Sequence, residues 1–221
     1  MGTWTNDSRP SLYVDGAAYT IARWPNGANT SMAQYTGKDG QFGVKNKGYQ
    51  STSSELGAAG SGTGTFAFKY SNPRPHSWEF TDNIWMYGYW YAEWTHDHLR
   101  VEKFDKNEFV AYTNKGLAYG GKYVKGNTYY YYNIFEELDQ PGEWFLDDKT
   151  GILYIYPIGE LKEDSVVQLV TTSFDIIQTK GAKYTVINQI DMDMGNRAVV
   201  YQNGSMYNIV QRCHVRNMAN Y

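Results

Sequence analysis

The sequence predicts an all-β protein, with a β-sandwich over residues 1–160 followed by the start of a right-handed parallel β-helix over residues 161–221. Three observations predict it. No window sustains the i, i+3, i+4, i+7 apolar stripe of an amphipathic helix between credible caps. Short aromatic and β-branched runs, punctuated by turn residues, recur up to Pro157. Beyond Val166 aliphatic residues replace the rings, and one stretch repeats at an offset of 23 residues, Tyr184 to Tyr207.

Taken in order, Ser11–Val14 runs into Asp15-Gly16, a strong hairpin signal, and Ala18–Trp24 returns before Pro25-Asn26-Gly27 breaks the strand. Residues 37–64 are small and polar and read as exposed loop. Short strands are expected at Thr65–Tyr70, Asn83–Tyr91, Leu99–Phe104, Glu108–Thr113 and Tyr129–Phe135, spaced as in a sandwich. Glu136–Trp144 reads as a short helical turn halted by Pro141-Gly142. Phe145–Asp147 and Ile152–Pro157 then form a hairpin around Asp148–Gly151, where glycine suits a positive φ.

The repeat sets Tyr184 over Tyr207, Val186 over Ile209, Ile187 over Val210, Ile190 over Cys213 and Met192 over Val215. Stacked coils produce this pattern because equivalent side chains pile up at the inter-strand distance of about 4.8 Å. An earlier coil is expected over Val166–Ile177, turning at Thr171–Ser173. The last coil stops at Tyr221 with an unpaired edge and an open apolar end. Further coils of a longer protein, or another subunit, are expected to cover it.

Composition narrows the function. A net charge of −3 without Lys/Arg runs argues against nucleic acid as a partner, since phosphate neutralisation needs clustered positive charge. No apolar run approaches the roughly 20 residues of a membrane-spanning helix, so no membrane partner is expected. The start Met-Gly-Thr-Trp-Thr carries no leader pattern, and any leader is expected to have been removed. Cys213 is the sole cysteine and forms no intramolecular disulfide. No phosphate loop, dinucleotide fingerprint or zinc-ligand spacing is present, so no cofactor and no metal are expected. The 21 Tyr, 7 Trp and 9 Phe against 19% charged residues suit a β-protein with sugar-facing surfaces, because flat rings stack on the apolar faces of pyranoses. Strand propensity alone would also favour such rings.

Several stretches resemble a known family: Val14-Asp15-Gly16 followed by Ile21–Asn26, Gly88-Tyr89-Trp90 with Trp94, and Asn133–Trp144 leading into Gly151–Pro157. Together they are similar to the right-handed β-helix glycoside hydrolases of family 141, with Leu138–Trp144 the most specific segment. The resemblance implies that the sandwich is inserted into the early coils and that paired acids act on the β-helix surface. It also implies a secreted bacterial protein acting outside the cell on a polysaccharide or oligosaccharide. This chain would then be a fragment whose active site lies wholly or partly elsewhere.

Candidate catalytic residues are Asp191, Asp193 and His214. Alternation puts both aspartates outward, about 7 Å apart along a strand, within the roughly 6.5–9.5 Å that separates the carboxyls of inverting glycosidases. The repeat also sets Asp191 beside His214 and Asp193 beside Arg216, where opposite charges would simply pair between strands. Trp85, Trp90 and Trp94, with Arg216, are candidate substrate-binding residues. Alternation sends Trp85, Tyr87, Tyr89 and Tyr91 to one face and Met86, Gly88 and Trp90 to the other, one face for core and one free to stack on a glycan. His96-Asp97-His98 reads as a solvated loop rather than a metal site, and Glu136, Glu137, Asp139 and Glu143 as turn and surface residues. A noncatalytic carbohydrate-binding module and an adhesin-type structural β-helix remain as alternatives.

Overall fold

The computed structural model describes residues 9–26, 67–70, 72–88, 96–114, 129–171 and 174–218, and these are all-β, with no α-helix among them. The chain divides into two compact units, one of Thr20–Leu161 and one of Gly2–Tyr19 with Lys162–Tyr221.

Strands β1 (Ser11–Val14) and β2 (Ala17–Ile21) form the expected hairpin. Asp15 and Gly16 both take positive φ, 50° and 78°, which is what a two-residue turn matched to strand twist requires. Buried Ala22 separates β2 from β3 (Arg23–Trp24), so the predicted single return strand is two short ones. The Ala22 amide donates to the Trp144 carbonyl, continuing the parallel pairing of Thr20 and Ile21 with Glu143 and Trp144.

In the first unit, β4 (Ala67–Lys69), β5 (Trp85–Gly88), β6 (Asp97–Asp105), β7 (Val110–Thr113) and β8 (Tyr129–Tyr132) join β3 in one antiparallel sheet ordered β3-β8-β5-β6-β7-β4. Strand alternation sends Met86, Leu99, Val101, Ala111, Tyr129 and Tyr131 to one face. There they pack with Ile84, Trp78 and Tyr70 into the core. Each fully buried Leu, Ile or Met contributes about 1.5–3 kcal/mol. Trp85, Tyr87, His98, Tyr130 and Tyr132 alternate onto the opposite face and are buried as well. A 3-10 turn at Arg74–Ser77 follows Pro73, and another at Phe135–Glu137 follows β8. Strands β9 (Glu143–Leu146) and β10 (Leu153–Tyr156) form the second predicted hairpin, with Gly151 at φ 75°, and β9 also pairs in parallel with the end of β2.

In the second unit, β11 (Val167–Val170) pairs antiparallel with β1, Ser11 facing Val170. It therefore does not enter the parallel ladders as the expected earlier coil: the Asp15 side chain and backbone engage Val166 and lock that pairing. The remaining strands are β12 (Ile177–Lys180), β13 (Val186–Asn188), β14 (Asp191–Asp193), β15 (Val199–Gln202), β16 (Ile209–Gln211) and β17 (His214–Arg216). They form three parallel two-stranded ladders, β12 with β15, β13 with β16 and β14 with β17.

The register of the second and third ladders matches the sequence repeat: Val186 faces Ile209, Ile187 faces Val210 and Met192 faces Val215. In the first ladder Ile177 faces Val199, one residue short of the repeat. The difference is absorbed between Gly181 and Ser205, where Asn203 and Gly204 both take positive φ opposite the single turn residue Gly181. Corners repeat as strictly as strands do. Tyr184 and Tyr207, Gln189 and Arg212, and Met194 and Asn217 all sit at φ between 54° and 58°. Within the second unit the apolar ladder is only partly enclosed: Met192 is buried, whereas Val186, Ile209, Val210 and Val215 are exposed.

Candidate functional site

Strand β14 places Asp191 and Asp193 outward because Met192 between them is buried, as period-two alternation demands. Strand β17 then brings His214 and Arg216 directly opposite. The two pairs differ sharply. Arg216 Nε donates to Asp193 Oδ2 at 2.8 Å, and Asn217 Nδ2 donates to Asp193 Oδ1 at 2.9 Å, so both carboxylate oxygens are occupied and the side chain is 28% exposed. Asp191 and His214 lie 3.7 Å apart, Oδ1 to Nδ1, with side chains 81% and 86% exposed.

The same arrangement recurs on the first ladder, where Arg197 grips Asp175 with two bonds of 2.8 Å and Asn196 adds a third. The Arg197 guanidinium, through these hydrogen bonds, holds the Asp175 carboxyl below the usual range. In all three pairs the acid comes from the earlier turn of chain and the base from the later one. Ladder neighbours of opposite charge fasten one turn of chain to the next, and solvent screening keeps each exposed pair weak.

Among the described residues both faces of β5 are covered, and Trp85, on the face opposite the core cluster, is 1% exposed: its Nε1 donates to Asn83 Oδ1 at 2.8 Å, and its ring stacks on Tyr132 at 6.4 Å. No face of that ring is open to a sugar. Trp90 and Trp94, with Tyr89 and Tyr91, lie outside the described residues. His96-Asp97-His98 is not a solvated loop, because Asp97 and His98 open β6 and pair with β5. His98 is buried against Tyr87, ring to ring at 4.5 Å, and its Nδ1 lies 3.1 Å from the Tyr132 hydroxyl. Among the described residues no group of His, Cys, Asp or Glu could hold a metal ion.

Two acids assigned to the surface by sequence are buried. Glu137 is 1% exposed and accepts from Trp78 Nε1 at 2.6 Å and from Arg74 Nε at 2.6 Å and Nη2 at 3.1 Å. Glu143 is 2% exposed, and its Oε2 accepts the amides of Asp139 and Gln140, each at 3.1 Å. Burial pushes the Glu143 carboxyl up to about 7. The two amides and Arg23 oppose that rise, and the Asp139 charge adds to it. The one sequence signal was Pro141-Gly142: a turn that tight leaves amides needing an acceptor, and Glu143 supplies it to Gln140 and Asp139, three and four residues earlier. Nothing local marks Glu137, whose partners lie about sixty residues earlier in the chain.

No family model matches the chain, and no curated protein sequence matches it. Among solved structures, the chain is similar to a protein described as "Glycoside hydrolase", with a TM-score of 0.58, 16% identity and 85% of this chain covered. At that identity the likeness is one of fold, a glycoside-hydrolase-like fold that does not single out family 141. The chain spans 31% of that protein's length.

Proposed function

We propose that this chain is part of a secreted carbohydrate-active protein of glycoside hydrolase type. In this reading the three parallel ladders are the first coils of a right-handed parallel β-helix, entered after a β-sandwich over residues 1–160. The observation that carries it is the register itself: parallel pairing at 22 and 23 residues on three successive strands, with acids and bases stacked between turns. The fold likeness to a glycoside hydrolase supports the substrate class, a polysaccharide or oligosaccharide. In this reading the protein works outside the cell.

On the ladder face, Asp191 with His214 is the more exposed pair, which supports a role for it in touching a sugar. Asp193 is committed to Arg216 and Asn217, which favours a second reading in which this face binds saccharide without cleaving it. An acid that must act on a glycosidic bond needs an oxygen free for the proton it carries.

The test is incubation of the chain with a panel of plant and host polysaccharides, scored for both binding and reducing-end release. Turnover that vanishes in Asp191→Asn and in Asp193→Asn, with circular dichroism unchanged, supports the hydrolase. Binding without product supports the noncatalytic module. A chain that neither binds nor cleaves any glycan overturns the carbohydrate assignment and leaves a structural or adhesin role.

A further inference from the structure

The first unit carries a cleft of about 630 Å³, bordered by Trp78, Glu79, Glu102, Lys103 and Lys106. We propose that this cleft binds the acidic residue of a uronate-containing oligosaccharide, its carboxylate held by Lys103 and Lys106 and its hydroxyls by Glu79 and Glu102. The proposal rests on the carbohydrate reading above and names a substrate class for it.

The argument begins with the ammonium groups. Lys106 Nζ donates to the carbonyl oxygens of His76, at 3.0 Å, and Trp78, at 3.5 Å. An ammonium has three donors, so this anchoring fixes its position at the cleft wall and leaves one N–H for a ligand. Lys103 Nζ lies 5.9 Å from the centroid of the Tyr112 ring, a contact that uses its charge without using its hydrogens. Among the described residues neither lysine has a carboxylate within ion-pair distance, while Glu102 is engaged by Arg100 at 3.5 Å. Two ammonium groups without an ion-pair partner among the described residues border the same cleft as two carboxylates, so it offers charged donors and charged acceptors together.

The acids on the same wall decide which anion. Glu79 and Glu102 are acceptors, so a ligand with no hydrogens to donate, such as sulfate, meets repulsion there. A sugar acid carries both functions, a carboxylate for the lysines and a set of hydroxyls for the glutamates. The volume falls in the range of small-molecule sites, roughly 300–1,000 Å³. Buried Trp78 forms part of the wall and supplies a spectroscopic reporter.

The experiment titrates the whole chain with trigalacturonate, with the matched neutral galactose trimer and with inorganic sulfate, by calorimetry and by tryptophan fluorescence. Trigalacturonate should bind at least about tenfold more tightly than the neutral trimer, and sulfate weakly or not at all, since one charge-assisted contact accounts for about that factor. Lys103→Glu and Lys106→Gln should each weaken the acidic ligand about tenfold with the circular dichroism spectrum unchanged. Lys106 also holds two carbonyls, so Lys103→Glu, at a side chain that makes no hydrogen bond among the described residues, decides the matter if Lys106→Gln does not fold. Equal binding of acidic and neutral trimers, tight sulfate binding, or unchanged affinity in Lys103→Glu overturns the proposal. If neutral glycans are bound or cleaved while trigalacturonate is ignored, the cleft proposal fails and the carbohydrate reading stands. If no saccharide is bound or cleaved, both fail.

Discussion

Arg216 Nε donates to Asp193 Oδ2 at 2.8 Å from the paired strand, fastening one turn of chain to the next. Because Arg216 is 71% exposed, the bond is screened and its stability contribution is about 1 kcal/mol or less. Arg216→Ala should lower the urea midpoint only slightly. A larger loss would mean that the pair specifies the register as well as decorating it.

Glu137 behaves differently, because it is buried with three donors aimed at it. Glu137→Ala strands the buried Trp78 indole N–H and removes the partner of exposed Arg74, and should cost about 1–3 kcal/mol in chemical denaturation. Glu137→Gln keeps acceptor capacity on one oxygen and should cost less. Equal losses in the two variants would show that cavity formation, not hydrogen bonding, dominates.

Glu143 makes stability depend on pH. Its folded carboxyl titrates near 7 and its unfolded one near 4.5, so between those values the folded state binds the extra proton. Stability contributed by this group is therefore full below about 4.5, falls as pH rises, and levels above about 7. The groups facing it are Asp139, which steepens the effect, and Arg23, which moderates it. Glu143→Gln should flatten the thermal midpoint against pH across that window; an unchanged slope would place its origin in another group.

Asn208 ties the turns together at a corner. Its Oδ1 accepts the Thr185 amide at 3.0 Å and hydroxyl at 2.7 Å, and its Nδ2 donates to the Ala182 carbonyl at 2.9 Å. Asn208→Ala leaves these groups to water and should cost about 1–2 kcal/mol, while Asn208→Asp keeps the acceptor for Thr185 but turns a carboxylate oxygen on the Ala182 carbonyl. Hydrogen exchange at the Thr185 amide checks this locally: it should accelerate in the alanine variant and stay protected in the aspartate one.

Much of this molecule was legible residue by residue. Asp15-Gly16 and Gly151 announced their turns because few residues other than glycine, asparagine and aspartate accept positive φ without strain. The pairing of Val186 with Ile209 and of Met192 with Val215 was readable because a stacked fold makes sequence spacing and spatial spacing the same quantity. The stacked rings of Tyr184 and Tyr207, 5.0 Å apart and 12° from parallel, follow from that same periodicity. Their corner conformation did not, since tyrosine carries no local preference for φ near 56°.

What the sequence by itself determined is the strand content, the tight turns and the stacking register, all set by contacts close in sequence or repeated at a fixed interval. Tertiary structure alone decided which charges count. It buried Glu137 and Glu143, drew Trp85 into the core, diverted Val167–Val170 to an antiparallel partner and left Lys103 and Lys106 without a counter-ion among the described residues. Those outcomes depend on partners brought together from distant segments, and burial is a property of the whole packing that no local pattern of polar residues encodes.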